Sequence, residues 1–182
     1  MRKIMAFLIV VVFIMVGCGD SGTANPKVAA MKIKSFSFDE GQPIPVESTC
    51  DGSDISPQIS WGGVPMDCAS LALICQDPDA PSGVFTHWIV YDIKPVTPRL
   101  LQGQPKKEEI VGEARQGMND FDKMGWNGPC PPAGKPHKYV FTVYALDARI
   151  GFAKTPKYPD FEKAIKGHVI GKAQMTGTYQ KK

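Results

Sequence analysis

Three runs of apolar, aromatic and β-branched residues constrain most strongly what this chain can fold into. Residues 70–75 (Ser-Leu-Ala-Leu-Ile-Cys) are apolar without alternation, which suits a strand buried on both faces. Residues 86–93 and 139–146 carry the aromatic and β-branched side chains that pack well on a pleated surface. The 16 prolines and 18 glycines of the chain break helices and favour turns, so the expected class is mostly β. Weaker signals agree. Residues 32–38 alternate polar and apolar, residues 44–48 form a short extended piece, and residues 58–61 form a strand broken by Gly62-Gly63-Val64-Pro65. Residues 173–179 close the chain as a last strand. The best helix candidate is 160–166, where Phe161 and Ile165 fall one turn apart and Gly167 gives a stop.

A length of 182 residues fits one domain with a core of ordinary size. The 21 basic residues include Arg2 and Lys3, and the remaining 19 nearly match the 18 acidic ones. No basic stripe stands out, which argues against a nucleic-acid partner. Lys106-Lys107 is followed at once by Glu108-Glu109, the pattern of a solvated loop.

The amino-terminal residues read as a targeting segment. Met1-Arg2-Lys3 is followed by an uninterrupted apolar run over residues 4–16. That run is short for a membrane span, which takes roughly 20 residues, and it suits the centre of a signal peptide. It ends in Met15-Val16-Gly17-Cys18, which resembles the lipobox of bacterial lipoproteins. The expected organisation is a signal peptide over 1–17, a lipidated Cys18 with a small, polar, flexible tether over 18–30, and a folded domain over 31–182. The resemblance implies a membrane attachment through Cys18 in a bacterial cell envelope, facing the periplasm or exterior.

Polar chemistry concentrates in three stretches. Asp77-Pro78-Asp79-Ala80-Pro81 follows the buried run, so a stiff turn holds two carboxylates. Thr86-His87-Trp88 opens the next strand. Residues 125–139, Gly-Trp-Asn-Gly-Pro-Cys-Pro-Pro-Ala-Gly-Lys-Pro-His-Lys-Tyr, combine prolines that fix the backbone with glycines that permit close approach. In type, order and spacing these stretches resemble the phosphatidylethanolamine-binding protein family. The Gly-Pro-Cys-Pro-Pro form, with Tyr144-Ala145-Leu146-Asp147 after it, is similar to the bacterial Raf-kinase-inhibitor-like (YbhB/YbcL-like) branch. The resemblance runs from about Met31 to the C-terminus.

It implies a large central antiparallel sheet packed against a smaller one, with a few peripheral helices. It also implies an anion pocket lined by Asp77, Pro81, His87, Gly128, Cys130, Pro131, His137 and Tyr139. The expected ligand is a phosphate-containing small molecule or a phospholipid headgroup, with no cofactor and no metal. A protease or kinase partner is the alternative, and catalysis a third reading. The chain has no Gly-x-Ser-x-Gly elbow and no His-Glu-x-x-His motif, so a binding protein rather than an enzyme is expected. Trp61 and Trp88 read as core, Asp79 as a brace of its turn or a pocket residue, and His168 as a surface or helix-end residue. Of the remaining cysteines, Cys75 reads as a buried thiol. Cys50 and Cys130 fall in loops expected near the pocket mouth and are the favoured bridge among the possible pairings.

Overall fold

The computed structural model describes residues 28–181. The expectations for the signal peptide, Cys18 and most of the tether lie outside the described residues. The strands are β1 (Ala29–Ala30), β2 (Lys32–Ser35), β3 (Ile59–Gly62), β4 (Ser70–Asp77), β5 (Phe85–Ile93), β6 (Arg99–Leu100), β7 (Arg115–Gln116), β8 (His137–Leu146) and β9 (Val169–Tyr179), with one helix, α1 (Tyr158–Ile165), before β9. Two sheets result: a six-stranded one in the order β1-β9-β8-β4-β5-β7, and a three-stranded one in the order β2-β3-β6.

The three strongest apolar runs become the adjacent central strands β8, β4 and β5, all antiparallel. Their alternating residues serve two cores. Leu71, Leu73 and Cys75 of β4, Trp88 and Val90 of β5, and Tyr139, Phe141 and Val143 of β8 face the small sheet, from which Ile59, Trp61 and Leu100 join the same cluster. Ala72, Ile74, Ile89, Tyr91 and Leu146 face the other way, where Phe161 and Ile165 of α1 cover them. Every buried residue of both clusters lies between Met31 and Tyr179.

Several details depart from the sequence reading. The large sheet is mixed, because β1 adds to β9 in parallel, Ala29 opposite Gly171. Ala29 and Ala30, within the expected tether, are therefore part of the large sheet. Residues 46–48 form a 3-10 turn instead of an extended piece; the Ser48 and Thr49 amides donate back to the Pro45 and Val46 carbonyls, at 2.9 Å each. Helix α1 starts earlier than expected, with Pro159 in its first turn, where the missing N–H has no intrahelical partner to lose. Only one α-helix appears among the described residues, with short 3-10 turns at Val46–Ser48 and Val111–Glu113. Strand β9 is longer than expected, since Gly171, Lys172 and Gln174 hide its period.

Candidate anion pocket

The strand ends set the site. Asp77 is the last residue of β4, paired with Phe85, the first of β5; His87 follows two residues later on β5. His137 opens β8 and Tyr139 follows on the same side of that strand. One end of the three central strands thus gathers a carboxylate, two imidazoles and a phenol. Loop residues close a cavity of about 180 Å3 over them: Ala80, Pro81 and Ser82 from the β4–β5 turn, Phe121 from the segment after β7, and Cys130, Pro131 and Pro132 from the segment before β8.

All the expected lining residues reach this cavity except Gly128. Gly128 works behind the wall. A Cβ there would sit 2.0 Å from the Ser48 carbonyl oxygen, so only glycine lets the two loops meet. Its amide donates to Asp54 Oδ1 at 2.7 Å, and the Asn127 amide group donates to Asp54 Oδ2 at 3.1 Å. Next along, Cys130 is disulfide-bonded to Cys50, the expected pairing. Cys75 is a free, buried thiol whose pKa burial raises well above the ordinary value.

The hydrogen bonds settle what each ring presents to the cavity. Asp77, 3% exposed, has both oxygens engaged. Oδ1 accepts from the Asp79 amide at 2.8 Å, and Oδ2 accepts from His137 Nδ1 at 2.7 Å. His87 Nδ1 lies 2.7 Å from the Asn127 carbonyl. A carbonyl only accepts, so His87 carries its proton on Nδ1. In both rings Nε2 is the nitrogen left for the cavity, and in the neutral ring it is a lone-pair acceptor. The rings of Phe85, Phe121 and Tyr139 stand around His87 with centroids at 5.2, 5.4 and 5.2 Å. That burial lowers the His87 pKa, against the opposing pull of the Asn127 carbonyl and the Asp77 charge.

Tyr139 is fully buried, and its hydroxyl has no hydrogen-bond partner among the described residues. Burial first, then the Asp77 charge, push its pKa far up, so it remains a neutral phenol. A buried hydroxyl left unpaired costs about 1–3 kcal/mol.

Asp79 faces away from the cavity. Its Oδ2 accepts from the Lys138 amide at 2.8 Å, so it ties the β4–β5 turn to the start of β8. Trp61 and Trp88 are core residues. His168 has a partner the sequence did not reveal, Asp147, at 2.7 Å on the surface. Other positioning residues were also missed. Asn119, fully buried, donates to the Gly125 carbonyl and Asn127 Oδ1 and accepts from the Phe121 and Lys123 amides. Asp120 accepts from the Thr86 amide at 2.6 Å and returns a bond to the Thr86 carbonyl. Phe85 had a readable signal, two residues before His87 on one strand face; nothing local in the sequence marks Phe121 or Asn119.

Comparison with known proteins fits this geometry. The profile of the phosphatidylethanolamine-binding protein family matches residues 34–180. The chain is 42% identical over 151 residues to a UPF0098 protein of Methanothermobacter thermautotrophicus, covering 83% of this chain and 99% of that one. It is 44% identical over 155 residues to a UPF0098 protein of Aquifex aeolicus, covering 84% and 90%. Among solved structures, the phosphatidylethanolamine-binding protein homolog CT736 of Chlamydia trachomatis superposes with a TM-score of 0.77 at 38% identity. Escherichia coli YbcL, described as a member of the mammalian family, superposes with a TM-score of 0.78 at 30% identity. Each alignment covers 84% of this chain and 99% of the other. The chain belongs to the phosphatidylethanolamine-binding protein family.

Proposed function

We propose that this protein is an exported, lipid-anchored binding protein whose pocket takes a small phosphate-bearing anion, either a phospholipid headgroup or a soluble phosphate ester. The observation that carries the reading is the convergence of His87, His137 and Tyr139 on one small cavity, with Asp77 orienting His137. A phosphate oxygen could accept from that hydroxyl and from Nε2–H of each ring, and such charge-assisted bonds are about twice as strong as neutral ones. The cavity, about 180 Å3, suits a headgroup-sized ligand. Its prolines and the Cys50–Cys130 bridge support a wall set before the ligand arrives, which lowers the cost of ordering on binding.

Two features support binding without turnover. Cys130, the thiol that a nucleophilic mechanism would use, is tied to Cys50. Asp77 already has both oxygens engaged, so it serves to orient His137. For the envelope location, the support is the Met15-Val16-Gly17-Cys18 pattern together with a disulfide, a bond that persists mainly in oxidising compartments.

The acid–base sign follows from the rings. A neutral Nε2 accepts and cannot hold a fully ionised anion oxygen, so binding takes up a proton at His87. Because burial lowers the His87 pKa in the free protein, affinity should fall as pH rises above that lowered pKa and level off only near the higher His87 pKa of the complex. The test is calorimetric titration of a chain beginning at residue 19, which keeps both cores, with sulfate, phosphate and phosphoethanolamine from about pH 5.5 to about pH 8. Sulfate is needed because phosphate itself titrates near pH ~6. His87→Asn and His137→Asn keep a donor in place of Nδ1 and delete Nε2. Each should lose roughly tenfold or more in affinity, the range of a charged hydrogen bond. Absence of binding to the folded wild-type chain would refute the reading and favour a protein partner.

A further inference from the structure

A second concavity, about 760 Å3, lies where the small sheet meets β9 and shares no lining residue with the pocket. Its architecture follows from strand register. Lys32 pairs with Gly62 and Lys34 with Ser60 across β2 and β3, and Ser60 pairs with Arg99 across β3 and β6. Residues opposite one another share a face, as do those two apart along a strand. Lys32, Lys34 and Arg99 therefore stand on one face around a floor of Ser60 and Gly62. Among the described residues, no acidic side chain lines this concavity. None of the three cations forms an ion pair among the described residues.

Apolar side chains are exposed at the ends of the same strands. Phe36, just past β2, is 72% exposed, and the Lys34 ammonium lies 4.9 Å from its ring centroid. Met66 follows β3, while Val96 and Leu101 flank β6, and all three are exposed. Cations on one face of the sheet, with exposed apolar side chains near its strand ends, match a bilayer surface: phosphates for the cations and the acyl boundary for the apolar side chains. Met31 and Lys32, which directly follow β1, both line the concavity. Net charge does not account for such a face, because basic and acidic residues nearly cancel over the chain without Arg2 and Lys3.

We propose that this outer face of the three-stranded sheet is a contact surface for an anionic lipid bilayer. It holds the domain in one orientation and acts whether or not Cys18 is acylated. The test is co-sedimentation of the unacylated chain beginning at residue 19 with vesicles of phosphatidylcholine, alone or mixed with phosphatidylglycerol, at low and high salt. Binding should require the anionic lipid and weaken with salt. Reversal of Lys32, Lys34 and Arg99 to Glu together should lower partitioning by at least about a hundredfold, since each cation near such a surface contributes about fivefold and the added carboxylates are repelled. The same reversal at Lys123, Lys163 and Lys166 should leave most of the binding. Serine at Phe36, Val96 and Leu101 together should cost roughly tenfold with little change in thermal unfolding, since these side chains are exposed. No binding by the wild-type chain, equal binding to neutral vesicles, or equal loss in the two reversal variants would overturn the proposal. Anion titration of the pocket is a separate readout, so either idea can fail alone.

Discussion

At the pocket, the ionisable side chains are pinned by the protein: Asp77 by His137 and the Asp79 amide, His87 by the Asn127 carbonyl. On the outer face of the small sheet, Lys32, Lys34 and Arg99 have no ion-pair partner among the described residues and project from a floor of Ser60 and Gly62. The second concavity is about four times the volume of the first, yet the smaller one has directional chemistry. Fixed donors and acceptors would select one small ligand by geometry, as proposed for the pocket. Cations without ion-pair partners, on long side chains, would select a charged surface and tolerate variation within it, as proposed for the sheet face. Size alone would have pointed to the wrong place for a specific ligand.

Cutting the Cys50–Cys130 bridge should separate the two regions most widely. The bridge closes a sequence separation of 80 residues, which in the loop-entropy account contributes about 4 kcal/mol. It also joins the pocket wall to the loop that carries Asp51, which accepts from the Tyr179 hydroxyl at 2.6 Å. Cys50→Ser with Cys130→Ser should lower unfolding stability by that order in denaturant titration and weaken sulfate binding. Vesicle binding under conditions where the variant stays folded should hold. Equal damage to both readouts would show that the regions are not independent.

Tyr139→Phe sharpens the comparison by a smaller amount. The hydroxyl makes no bond in the free protein, so its removal should leave stability unchanged or slightly raised. Sulfate affinity should drop by about five- to tenfold, the range of one neutral hydrogen bond. A stability loss above about 1 kcal/mol with unchanged affinity would instead place the hydroxyl in the fold's own bonding.

The central strands were legible because residues 70–75 are buried on both faces and almost wholly apolar, and because 86–93 and 139–146 are mostly buried and rich in aromatic and β-branched side chains. The edges were not. The strand β1 is two alanines whose pairing depends on β9, and β9 itself reads as polar because one face meets solvent. Val46–Ser48 looked extended between its prolines and became a 3-10 turn through local amide bonds that composition does not announce. The pocket was legible in its ring nitrogens and its carboxylate, since these lie in compact motifs near strand ends. Its aromatic wall was half legible: Phe85 follows from the strand period, whereas Phe121 comes from a loop held by Asn119 and Asp120. Gly128 fell within the right motif with a different job, packing against Ser48 behind the wall.

The measurement that bears most directly on the pocket is nitrogen NMR of the histidine rings during a sulfate titration near neutral pH. The free protein should show His87 as the Nδ1–H tautomer with an unprotonated Nε2. Saturating sulfate should convert Nε2 of His87 to a protonated, hydrogen-bonded nitrogen and move the ring signals of His137, which shares the cavity. Rings at 87 and 137 that stay unchanged while the protein remains folded would contradict an anion held by these imidazoles.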